Sequence, residues 1–310
     1  MAAISLTVAL ACGGGGENEE GEETSLTASG TAAASPGSEP QGKIAYRSNR
    51  DGNWEIYVIN ADGSGETNLT NHPATEFNPA WSPDGSQIVF VSNRDGDPHL
   101  FTMDADGSNV KRLTTGGGEL SPRWSPDGSQ IVYTRSGLMV INADGTDPRV
   151  VLESKSAGAG AVCGAGPFPG GWSPDGTRIA YYTASISSEG SQICTIGVDG
   201  FGIEVVVSEP VALHAEPAWS PDGRYIAFRS IREGNHDIYV IDLETGEEQR
   251  LTDDPGRDVE PGWSPDGEWI TFSSSRASSN TDVYIMRRDG SDVRRLNTDT
   301  GIDSESVWGP

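Results

Sequence analysis

Five near-copies of one phrase constrain this chain more tightly than anything else in it. AWSPDGSQIVF occupies residues 80–90, and RWSPDGSQIVY, GWSPDGTRIAY, AWSPDGRYIAF and GWSPDGEWITF follow. With Trp81, Trp124, Trp172, Trp219, Trp263 and Trp308 as markers, the spacings are 43, 48, 47, 44 and 45 residues. A repeat of this length is one supersecondary unit that cannot bury its apolar face alone, and ~40–45 residues is the length of a propeller blade. Behind five of the markers stands a short strand with one alternation: Ile88-Val89-Phe90, Ile131-Val132-Tyr133, Ile179-Ala180-Tyr181, Ile226-Ala227-Phe228 and Ile270-Thr271-Phe272. A sixth copy, Ile44-Ala45-Tyr46, has no tryptophan before it.

The C-terminal VWGP supplies the missing strand. The N-terminal stretch from Gly42 supplies the other three strands of that blade, so joining the ends closes the ring and removes the exposed edge between first and last blade. The expectation is an all-β, six-bladed propeller of four-stranded blades over residues 42–310. Composition agrees: 40 glycines, 19 prolines and 35% hydrophobic residues suit many short strands and turns better than a helical core. No run of 18 apolar residues occurs, which excludes a polytopic helical membrane protein.

Each phrase has a mechanical reason. In Ser-Pro-Asp-Gly, proline presets φ at the second turn position and glycine suits the fourth, giving a type I turn between the first and second strands. Asp62-Gly63, Asp106-Gly107, Asp144-Gly145 and Asp289-Gly290 turn the third strand into the fourth. Lys111, Arg112, Arg149, Arg250, Arg294 and Arg295 fall on the outermost strands, where charge discourages edge-to-edge pairing.

The W-S-P-D-G, I-A-F, S-x-R and I-Y-V-x-D-x-x-G phrases together resemble the repeats of TolB-like propellers, the periplasmic component of the Tol-Pal envelope system. The resemblance covers residues 42–310 and implies a non-enzymatic propeller whose mouth receives a partner such as a peptidoglycan-associated lipoprotein. Where the family carries an additional α/β domain ahead of the propeller, the expectation for the stretch before residue 42 is a disordered tether. Met1 to Cys12, MAAISLTVALAC, is similar to the end of a bacterial lipoprotein signal, which implies lipidation of Cys12, export to the periplasm or outer cell surface, and membrane contact through that lipid alone. Residues 13–41 carry six glutamates and no basic residue, too little to bury, and read as a disordered tether of ~30 Å.

Candidate site residues come from the loops leading into the innermost strands. Five and three residues before the markers stand Glu76 and Asn78, Glu119 and Ser121, His214 and Glu216, Asp258 and Glu260, and Asp303 and Glu305. Carboxylates gathered at one mouth make a negative funnel that steers a basic partner or holds a hard cation such as calcium; the plainer reading is a well-solvated loop on an acidic protein. Arg50, Arg94, Arg232 and Arg276 recur after the second strand, with Glu55, Asp237 and Asp282 at the start of the third. An Arg–carboxylate clamp inside each blade is the reading for these. The Trp172 blade departs from the rest: its incoming loop lacks the acidic pair and holds Cys163, while Cys194 takes a place where other blades have Tyr57, Phe101, Tyr239 or Tyr284. The two form a disulfide in an oxidising compartment, or sit as buried thiols.

Function classes narrow accordingly. The formal charge of -25, or -19 without the tether glutamates, repels phosphate and argues against nucleic acid. No nucleophile elbow or HExxH motif occurs. The expectation is a monomeric protein-binding module without a required cofactor. The alternatives are a cell-surface receptor for a small ligand or cation, and a metal-dependent lyase using His214 with Asp258 or Glu260 in the channel.

Overall fold

The Trp-Ser-Pro-Asp-Gly phrase bends the chain in the same way each time. In one copy the Ser82 hydroxyl donates to Asp84 Oδ1 at 2.7 Å, the Ser86 amide donates to the same oxygen at 3.0 Å, and the Gly85 amide closes the turn on Ser82 O at 2.9 Å. Gly85 sits at φ 69°, a left-handed conformation that costs glycine little. These donors hold the Asp84 carboxyl at about 2, below the usual carboxylate range.

Strands flank every such turn. The computed structural model describes residues 38–154, 163, 166–183, 190–210 and 212–310. Among them 24 strands form six four-stranded antiparallel sheets, and no helix is present. Blade one is β1 (Lys43–Ser48), β2 (Glu55–Asn60) and β3 (Thr67–Asn68), with β24 (Asp303–Trp308) as its innermost strand. Blade two runs from β4 (Glu76–Trp81) to β7 (Lys111–Arg112), and blade three from β8 (Leu120–Trp124) to β11 (Arg149–Glu153). Blade four runs from β12 (Pro167–Trp172) to β15 (Glu204–Ser208). Blade five runs from β16 (His214–Trp219) to β19 (Glu248–Arg250), and blade six from β20 (Asp258–Trp263) to β23 (Arg294–Arg295). The ring closes as the repeats require: Ile44 faces Trp308, Ala45 faces Val307 and Ser48 faces Asp303.

The core is divided rather than central. Ile44 and Tyr46 pack with Trp269, Val283 and Ile285 of blade six, while Ala45, between them, packs with Trp81, Ile88 and Phe90 of blade two. This is the period-two pleat at work: alternate residues of one strand serve the two neighbouring blades. Six such clusters, each shared by an adjacent pair of blades, hold the ring together. Two of the marker tryptophans add polar ties between blades, with the Trp172 indole donating to Arg123 O at 3.1 Å and the Trp263 indole to Ala218 O at 3.1 Å.

The packed chain begins four residues before the boundary drawn from composition. Trp269 Nε1 donates to Ser38 O, Arg294 pairs with Glu39 at 2.7 Å, and Trp308 Nε1 donates to Gln41 O at 2.7 Å. Residues 1–12 with Cys12, and the tether up to residue 37, lie outside the described residues. Most outermost strands are two or three residues long and polar, but β11 and β15 have five residues each and expose Val150 and Val205.

Candidate functional site in the central channel

The position three before each marker is where the innermost strands break their register. Asn78, Ser121, Glu216, Glu260 and Glu305 all have φ between 51° and 59°. The β4, β8, β16 and β20 pairings shift register across this position, a β-bulge that re-aims the side chain. Non-glycine residues held there cost of order 1–3 kcal/mol each, a strain that tends to concentrate at functional sites. The bulges turn these side chains into a central cavity of about 440 Å³, which they share with Arg123, Phe168 and Tyr182.

These residues are tied to one another around the channel. Glu216 Oε2 accepts from the Glu260 amide at 2.7 Å, and Glu260 Oε2 accepts from the Glu305 amide at 2.5 Å. Glu305 Oε2 accepts from the Asn78 amide at 2.5 Å, and Asn78 Oδ1 from the Ser121 amide at 3.0 Å. The belt passes through blades five, six, one, two and three. It stops at blade four, where Pro169 occupies the equivalent position and offers neither an amide hydrogen nor a side-chain acceptor. There, Gly170 lies directly against blade five: a Cβ on it would stand 1.9 Å from Pro217 O.

Charge along the belt is nearly balanced. Arg229 pairs with Glu216 at 3.3 Å, and Arg47 pairs with Glu305 at 3.2 Å. Burial pushes the Glu216 and Glu305 carboxyls up to about 7, against the opposing pull of those arginines. Burial also lowers the Arg123 guanidinium below its ordinary value, opposed by the field of Glu305 and Glu260. Phe168 and Tyr182 stack with ring centres 5.3 Å apart on the adjoining wall. The opposite mouth is a collar of the six marker tryptophans and the prolines that follow them.

The eight residues proposed from sequence as a mouth therefore fall into two sets. Glu216, Glu260 and Glu305 reach the channel. Glu76, Glu119, His214, Asp258 and Asp303 are buried within or between blades and touch no channel solvent. Glu76 pairs with Arg94 at 3.1 Å, Asp258 with Arg276 at 2.9 Å and Asp303 with Arg50 at 3.2 Å. Glu119 Oε2 lies 3.2 Å from His99 Nδ1. The clamp thus exists, but with different partners from those read in the sequence: Arg50, Arg94 and Arg276 each meet a carboxylate of the first strand. The carboxylates at the start of the third strand look outward instead, Asp237 to Arg250 and Asp282 to Arg295, both at 2.8 Å, while Glu55 is bonded by Asn53 and Thr70. Arg50, Arg94, Arg232 and Arg276 also lie over Tyr57, Phe101, Tyr239 and Tyr284 at 4.4–5.1 Å. In blade five His214 replaces the first-strand acid, and Arg232 turns to Glu209 and Glu248.

His214 itself is fully buried, stacked edge-on against Phe228, with neither ring nitrogen bonded among the described residues. Burial, reinforced by Arg232, lowers it to about 4, so the imidazole is neutral at physiological pH. It shares no site with Glu260, and among the described residues no three His, Cys, Asp or Glu side chains are disposed to hold a metal ion. Cys163 and Cys194 are joined in a disulfide, with Cys194 at the register position that the third-strand aromatic takes in other blades and the Tyr181 hydroxyl donating to Cys163 O at 3.1 Å.

The family model described as the TolB beta propeller domain matches residues 19–143 and 134–310. The chain belongs to that family. Among curated relatives of this TolB-type propeller, the Tol-Pal system protein TolB of Methylococcus capsulatus is 37% identical over 78 residues, 23% of this chain and 18% of that protein's own length. The crystal structure of TolB from Acinetobacter baumannii superposes with a TM-score of 0.76 at 20% identity, covering 88% of this chain and 68% of that one. A putative TolB from Agrobacterium tumefaciens gives 0.68 at 21% identity, covering 86% and 91%. At these identities the structural likeness establishes the TolB-type fold.

Sequence reasoning missed Arg123, Tyr182, Arg47 and Arg229. A signal for Arg123 was present. The residue immediately before the marker is Ala80, Gly171, Ala218, Gly262 or Val307 elsewhere, and only blade three places a charge there. Arg47, Tyr182 and Arg229 each follow the conserved-looking triplet of the second strand, a position that the ring geometry turns toward the channel.

Proposed function

We propose that this chain is a non-enzymatic protein-binding propeller of the cell envelope, exported and anchored through Cys12, which presents its channel mouth to a partner protein. The observation that carries the reading is the rim. Strained bulges hold Glu216, Glu260 and Glu305 in one fixed belt, and a surface built in advance loses little freedom on binding. Membership in the TolB family supports an envelope partner of the peptidoglycan-associated lipoprotein kind.

Acidity at the mouth resides in the loops above the belt. Those loops interlock, as Asn53 Nδ2 donates to His72 O and Ala74 O, and Asn235 Nδ2 to Asp254 O and Gly256 O. They expose Asp51, Asp95, Asp97, Glu233 and Asp253. Such a rim steers a partner with a basic contact face. The test is capture from solubilised envelope with the full chain as bait, beside an Asp97→Lys, Glu233→Lys, Asp253→Lys variant. A protein retained by the first and lost by the second supports the reading; equal capture by both, or none by either, refutes it.

A further inference from the structure

Two charges in the channel remain after its ion pairs are made. Glu216 has Arg229 and Glu305 has Arg47, but Glu260 has no cation within 4 Å among the described residues; its one engaged oxygen accepts only from Ser273 Oγ and the Glu305 amide. Arg123 donates to the carbonyl of its own neighbour, Pro122, at 2.8 Å and has no carboxylate within 4 Å among the described residues. The two belong to blades six and three, which face each other across a six-membered ring. A guanidinium and a carboxylate enclosed in one cavity and too far apart to pair are each incompletely solvated. Such a state is costly unless a ligand of matching charge completes it.

The wall beside Arg123 adds a third feature. Phe168 and Tyr182 present a stacked aromatic surface to the same cavity, and Gly170 and Gly171 leave room in front of it. Blade four breaks the belt at this point, and among the described residues no side-chain hydrogen bond continues it from Ser121 to Glu216. A cavity of about 440 Å³ is within the usual range for small-ligand sites.

We propose that the channel binds a short peptide with free ends, whose terminal carboxylate pairs with Arg123, whose terminal ammonium pairs with Glu260, and whose C-terminal side chain lies on Phe168 and Tyr182. An amino acid carries both charges close together, and each added residue extends the reach between them by up to ~3.3–3.6 Å. The site shares Glu260 with the belt but uses none of the rim-loop carboxylates altered in the capture test, so failure of one reading is distinguishable from failure of the other.

Calorimetric titration of the full chain with Ala-X and Ala-Ala-X peptides tests it, with X drawn from aromatic, aliphatic, basic and acidic residues. The same peptides are titrated N-acetylated and as C-terminal amides. Free peptides with aromatic or aliphatic X are expected to bind about tenfold or more tighter than either blocked form. In Arg123→Gln the amide and the free acid should bind alike, and in Glu260→Gln the acetylated and free peptides should bind alike. Glutamine at 260 keeps an acceptor for Ser273 and the Glu305 amide, so that variant retains the belt. If no free peptide binds at millimolar concentration, or if blocking the ends changes affinity less than about twofold, the proposal is overturned. The comparison of free and blocked peptides on the unaltered chain decides the matter even where a variant fails to fold.

Discussion

Glu260 combines two roles in one side chain. Its Oε2 holds the Glu305 amide and the Ser273 hydroxyl, while its charge has no arginine of its own among the described residues. Glu260→Ala strands both donors beside the channel and should cost ~1–3 kcal/mol in chemical denaturation, whereas Glu260→Gln should cost clearly less. Glu216 and Glu305 carry a pH signature. Burial raises them to about 7 in the folded chain, against ~4.3 for an unfolded glutamate. Between those values the folded state retains protons that the unfolded state has released, so their contribution is complete at the acid end and is lost as pH rises through 7. Melting temperatures measured from pH 5 to 8 should therefore fall with pH more steeply for the unaltered chain than for Glu216→Gln, Glu305→Gln; parallel curves would refute the assignment. The acidic residue types at this mouth were legible in the sequence, but the division between channel-facing and buried members was not. Neighbours two apart ordinarily share a strand face, and only the bulge, an irregularity without its own sequence signature here, separates Glu260 from Asp258.

Blade four shows what one altered blade contributes to a repetitive ring. The other blades with an arginine after the second strand stack it on an aromatic residue of the third; this blade has the Cys163–Cys194 disulfide at that place. The bond closes a loop over a sequence separation of 31, for which chain-entropy reasoning gives ~3–4 kcal/mol. Cys163→Ser, Cys194→Ser should lower the denaturation midpoint by that order, and a reducing agent should reproduce the loss in the unaltered chain. Gly170 lies against the backbone of blade five, and Gly170→Ala should destabilise by ~1–3 kcal/mol or more because backbone, not a flexible side chain, stands in the way. The departure of this blade was plain in the sequence, since its incoming loop lacks the acidic pair. Its meaning was not, because the separation of two cysteines and the approach of Gly170 to a neighbouring blade are set by the ring.

Six-fold closure was the most legible property of the chain, since five near-identical phrases and an orphan tryptophan admit few other arrangements. The site was less legible because a channel is a property of all blades together, and Arg123 acquires its surroundings from Glu260 and Glu305, well over a hundred residues away in sequence. Removing residues 303–310 takes β24 from blade one and exposes the edge of β1. That truncated chain should lose cooperative unfolding and run as aggregates in size-exclusion chromatography, where the intact chain gives one species. The same seam sets when the ring can close. At ~5–20 residues per second, roughly 10–50 s of synthesis separate β1 from its inner neighbour β24. Wherever the chain folds, the first blade has at most three strands and a bare inner edge until β24 arrives, so the circle closes last at the point where it began. A chain cut short before β24 is an open arc with an adhesive edge.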